Sequence, residues 1–72
     1  MKIEEFTREL EDILQIDSTL THDTLLEDLE EWDSMAYLGV ISFFDMEFSK
    51  AVTNTELKTI KTVEELFLLA NS

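Results

Sequence analysis

The sequence contains no cysteine, which excludes a disulfide framework, a thiolate nucleophile and a Cys-based zinc site. It has no proline and one glycine, Gly39, so the usual punctuation of tight hairpins is missing and helices are expected. Basic residues are scarce: five Lys and Arg stand against seventeen Asp and Glu, a formal charge of -12. That field repels phosphate backbones and anionic lipid surfaces, which argues against nucleic-acid binding, and it attracts basic protein surfaces. No long apolar run is present, so membrane insertion is not expected. The opening Met1-Lys2-Ile3-Glu4-Glu5 is too acidic for a signal or transit peptide, and a cytoplasmic protein is expected. His22 is the sole histidine and has polar neighbours, which reads as a surface loop position.

What is present fits one small domain over residues 1–72, with 44% apolar residues arguing against disorder. A chain this short buries only about 60% of its unfolded surface, which leaves no room for a large catalytic cleft. Ile3, Phe6, Leu10, Ile13 and Leu14 recur at helical spacing with acids between them, predicting an amphipathic helix that ends near Ile16. From Asp17 to Trp32 the period fails and turn-formers cluster. Leu20, Leu25, Leu26 and Leu29 predict a long loop pinned to the core by leucines, with room for one helical turn.

Asp33 is a favoured N-cap, and Trp32 before it is placed to pack on Tyr37, so a second helix is expected from Asp33 to about Ser49. Thr53-Asn54-Thr55-Glu56 reads as a capping box for a short third helix through Lys58 or Thr59. Thr62-Val63-Glu64-Glu65 reads as another, opening a last helix with Val63, Leu66, Phe67 and Leu69. The fold class is therefore all-α: a small four-helix bundle with three longer helices, one short helix and a long loop between the first two. On a helical wheel Tyr37, Val40, Ile41, Phe44 and Phe48 form an arc fit for the core.

Charge is uneven: residues 1–34 carry net -10 and residues 35–72 net -2. The densest stretch, Glu27-Asp28-Leu29-Glu30-Glu31-Trp32-Asp33, lies just before the second helix. Such a run is ordinarily a solvated loop, and it is electrostatically uphill unless something cationic meets it. It does not bind calcium as an EF-hand does, having neither alternating ligands nor a Gly at the bend.

Ser34 follows the expected N-cap, at the first helical residue. A phosphate on its hydroxyl would lie over unpaired N–H groups at the positive end of the helix dipole, a setting suited to a phosphodiester. No histidine is near in sequence to activate it as a nucleophile.

Glu31-Trp32-Asp33-Ser34-Met35, followed by a helix ending in Glu47-Phe48, resembles the acyl carrier proteins. The resemblance covers nearly the whole chain, and Thr62-Val63-Glu64-Glu65-Leu66 is similar to the family's usual start of the last helix. It implies that Ser34 carries 4'-phosphopantetheine, transferred from coenzyme A by a phosphopantetheinyl transferase, with Asp33 as cap and aid to that enzyme. The arm ends in the thiol that this chain lacks, and acyl groups ride on it as thioesters. Tethering raises the substrate's effective concentration at each docked enzyme, to about the millimolar range. The protein itself is then not an enzyme. Its partners are acyl-loading, condensing and acyl-transfer enzymes with basic docking surfaces, in fatty-acid or specialised acyl or polyketide biosynthesis, and it is expected to be a monomer.

A second arc of the wheel beginning beside Ser34 holds Met35, Leu38, Gly39, Ser42, Asp45 and Met46; with Glu30 and Glu31 these are the candidate partner-binding residues. Exposed methionines adapt to varied surfaces. Met35 and Leu38 suit the core equally well, and Gly39 either permits a close approach or packs as a small residue against the loop. The sequence departs from the family at three points: Met35 replaces the commoner Leu after the serine, Trp32 replaces a small residue, and the second helix keeps only Asp45 and Glu47 as acids. Trp32 and the thinned second helix lean towards a dedicated carrier of a specialised pathway. Glycines flanking the serine, usual in aminoacyl carriers, are absent. The competing reading is an unmodified acidic helical adaptor for a basic protein partner, which explains charge and size but not Asp33-Ser34 at a helix start.

Overall fold

Side-chain caps from Asp33, Thr53 and Thr62 set where three of the four helices begin. The computed structural model describes all residues, 1–72, and is all-helical. Helix α1 is Ile3–Leu14, α2 is Ser34–Phe48, α3 is Asn54–Thr59 and α4 is Val63–Ala70; a single 3-10 turn, Leu26–Asp28, interrupts the long loop. Thr53 makes the full reciprocal box with Glu56, at 3.2 Å from the Glu56 N–H and 3.1 Å back to its own. Thr62 makes half of one. Its hydroxyl accepts from the Glu65 N–H at 3.1 Å, but the Glu65 carboxylate reaches Lys61 N–H at 3.3 Å instead of Thr62. Helix α1 stops two residues before the expected Ile16, because Gln15 takes the left-handed conformation with φ 56° and turns the chain. Ser49, with φ 51°, ends α2 in the same way.

Helices α1, α2 and α4 close on one core with Phe6 at its centre. The Phe6 ring lies 5.2 Å from Phe67 and 5.8–6.2 Å from Phe43, Phe44 and Phe48, mostly in tilted or edge-on arrangements. The arc expected on the wheel does face the core: Val40 and Phe44 are buried, and Tyr37, Ile41 and Phe48 are half-buried and packed against it. Ala36 and Phe43, outside that arc, are buried as well. The cause is a helix apolar on most sides, whose buried face is chosen by its neighbours. Leu57 of α3, and Val63, Leu66 and Ala70 of α4, complete the packing.

The long loop is held by main chain as much as by leucines. Leu20 and Leu26 are buried and Leu29 half-buried, but Leu25 is 42% exposed and does not pin the loop through its side chain. Its backbone bridges to Thr62 instead. Around that bridge Leu26 N–H donates to Lys61 C=O (2.8 Å), Val63 N–H to Thr24 C=O (3.1 Å) and Glu64 N–H to His22 C=O (2.8 Å). Leu20 N–H is taken by the Glu11 carboxylate at 2.7 Å. His22 is exposed, as its neighbours imply, and its Nδ1 lies 3.4 Å from Glu64. No helix is long and apolar enough to cross a membrane.

Candidate functional site at the start of the second helix

Residues 29 to 33 wind into α2 through short bonds: Trp32 N–H donates to Leu29 C=O, and Asp33 N–H to Glu31 C=O, both at 3.1 Å. The Asp33 carboxylate then accepts from the N–H groups of Met35 (3.1 Å) and Ala36 (3.0 Å), while its carbonyl takes the Tyr37 N–H. Trp32 and Tyr37 meet edge to face with ring centres 5.1 Å apart, the expected staple across the cap. Cap and staple together fix the direction in which α2 leaves the loop. They also fix Ser34, its first residue.

Ser34 is exposed, and its hydroxyl takes part in no hydrogen bond with the protein. The expectation of several open N–H groups above it needs correction. Asp33 occupies those of Met35 and Ala36, so only the N–H of Ser34 itself lacks an acceptor. His22 pairs with Glu64 and makes no hydrogen bond to Ser34, so no serine–histidine pair is assembled.

The arc expected for partner binding separates into two parts. Met35, Leu38 and Met46 are 80%, 66% and 77% exposed, which settles the first two as surface and not core. Ser42 and Asp45 are exposed beside them, and Glu30 and Glu31 are exposed at the entrance to the helix. Gly39 is half-buried and belongs to the packing between helices: a Cβ built there would lie 2.8 Å from Ile13 Cγ2. The close neighbour is α1, not the loop. The acidic residues of the loop do not gather into a group able to hold a metal ion.

Two hollows adjoin this helix start. One, of about 280 Å³, is lined by Ile13, Leu14, Gln15, Glu31, Asp33, Met35 and Ala36, between the end of α1 and the start of α2. The other, of about 560 Å³, runs between Trp32 and Tyr37 on one side and Lys58 to Lys61 on the other. Sequence reasoning missed the second. Its only signal was two lysines, Lys58 and Lys61, close together in a chain with five bases. No protein-family model, curated protein or solved structure matches this chain.

Proposed function

We propose that this chain is an acyl carrier protein with Ser34 as the attachment point of 4'-phosphopantetheine. The supporting observation is an exposed, unbonded hydroxyl on the first residue of a helix whose start is fixed by the Asp33 cap and the Trp32–Tyr37 contact. A group joined to that oxygen projects into solvent without disturbing the core. The free Ser34 N–H is the donor available to a phosphodiester there. When bound, the arm supplies the thiol on which acyl groups are held, and which a cysteine-free chain cannot provide.

The residues of this chain then have distinct tasks. Asp33 holds the helix start and so the direction of Ser34. Met35, Leu38 and Met46 give an adaptable apolar surface next to the attachment point, and Ser42 and Asp45 border it. Glu30 and Glu31 stand free of ion pairs and suit a basic docking surface, on the phosphopantetheinyl transferase and on acyl-loading, condensing and acyl-transfer enzymes in the cytoplasm. The reading leans to a specialised pathway because α2 is poor in acids.

The exposed methionine–leucine stripe beside free carboxylates also favours a second reading, an unmodified acidic adaptor for a basic partner. Intact mass decides between them. After incubation with coenzyme A and a promiscuous transferase, the wild type is expected to gain one phosphopantetheine and Ser34→Ala none. No gain with several transferases would leave the adaptor.

A further inference from the structure

The groove between Trp32, Tyr37 and the α3–α4 link differs in sign from the surface around it. Lys58 and Lys61, two of the five bases in the chain, line it, and neither lies within ion-pair distance of a carboxylate. Glu27 is the one acid on its rim. Thr59 also lines it, with its hydroxyl donated to Glu56 C=O at 2.7 Å, while the indole N–H of Trp32 and the hydroxyl of Tyr37 take part in no hydrogen bond within the protein. Trp32, Tyr37 and Ile60 supply an apolar, half-buried wall. Lys58 in the last turn of α3 also has a place against the helix dipole; Lys61 lies outside any helix and has none. The main chain at Lys61 is fixed by Leu26 N–H and by the Glu65 carboxylate, so this wall holds its position.

We propose that this groove seats cargo tethered at Ser34 whose far end is a carboxylate, with the apolar stem along Trp32, Tyr37 and Ile60 and the acid end at Lys58 and Lys61. The inference rests on the carrier reading and names its class of cargo. Ser34 stands between two of the groove's residues in sequence, and Tyr37 is less than one helical turn beyond it, a rise of about 4.5 Å. The volume, about 560 Å³, lies in the usual range for a small-molecule site. A purely hydrocarbon end gains nothing from two ammonium groups and must strip water from them. A carboxylate is attracted by both and keeps charge-assisted hydrogen bonds.

Ser34→Cys places a single thiol in a cysteine-free chain at an exposed, unbonded position. Alkylating it with arms of equal length, one ending in a carboxylate and one in its methyl ester, needs no transferase. The carboxylate arm is expected to slow acetylation of Lys58 and Lys61 about fivefold, with Lys50 unchanged, and to shift the emission of Trp32. The ester arm is expected to do neither, and Lys58→Gln with Lys61→Gln to remove the Trp32 shift. Equal responses to both arms, or none, overturn the proposal. The coenzyme A mass gain is read on the unsubstituted protein. A carboxylate response without that gain keeps the anion groove and discards the carrier reading, and the gain without a response does the reverse.

Discussion

Ile13 and Gly39 meet where α1 crosses α2, close enough that a Cβ on Gly39 would stand 2.8 Å from Ile13 Cγ2. The contacting methyl is joined directly to a β-branched carbon and has little freedom to swing away. Gly39→Ala gains about 1 kcal/mol of helix propensity and loses about 1–3 kcal/mol to overpacking. A net loss of about 1 kcal/mol is expected in urea denaturation. Ile13→Ala removes the methyl, so the double variant should cost less than the two single ones summed; strict additivity would show that the helices do not touch there.

Asp33 does two separable things. Asp33→Ala removes the acceptor of the Met35 and Ala36 N–H groups and should cost about 1 kcal/mol, whereas Asp33→Asn keeps a capping oxygen and should cost little. Under the carrier reading both variants are to be compared for phosphopantetheine uptake. If Asn restores stability but not uptake, the carboxylate charge serves the transferase. Full uptake by Asp33→Ala would remove that role.

Phe6 touches four other phenylalanines and is wholly buried. Phe6→Ala should cost about 3–5 kcal/mol, while a domain of this length holds roughly 4–11 kcal/mol in total. Loss of most of the cooperative melting transition by near-ultraviolet circular dichroism is the expected result. A variant melting within a few degrees of the wild type would mean that the cluster is not the centre of the core.

The Thr21 hydroxyl donates to the Asp23 carboxylate, and the backbone N–H of Asp23 and the His22 charge act in the same direction, so this carboxyl is held below its ordinary value. A carboxyl with a folded pKa below its unfolded one stabilises the fold above the unfolded value, and that contribution fades as pH falls through the folded one. Thr21→Val removes the largest cause. In a carbon-13 titration the Asp23 midpoint should rise towards the ordinary aspartate range, and no movement would put the cause elsewhere.

The helix starts were legible because capping is local. Asp33, Trp32 with Tyr37, and Thr53 with Glu56 each act within five residues of one another. Ser34 was legible as the first helical residue for the same reason. The buried face of α2 was legible only in part: periodicity points to Val40 and Phe44 with Tyr37, Ile41 and Phe48 beside them, but in a helix apolar on most sides it misses Ala36 and Phe43, which packing against α1 and α3 adds. The course of the loop depends on main-chain bonds to residues 61–64, which no side chain announces. Gly39 reads from the sequence as a point of close approach or as a small residue against the loop, and only the structure identifies Ile13 as its neighbour. The lysine groove unites residues 27, 32, 37 and 58–61, and nothing in linear order brings them together.

The stitching of His22, Thr24 and Leu26 to residues 61–64 joins positions roughly 35 to 42 apart along the chain. Each of those bonds requires closure of a long span of chain before it returns anything, so they are expected to form after the helices. Interactions absent from the folding transition state act mainly on the escape rate from the native basin. The loop course is thus a kinetic latch: weakening it should hasten unfolding while leaving refolding nearly unchanged, and the amides of Leu26 and Glu64 should lose hydrogen-exchange protection together although they lie in opposite halves of the chain.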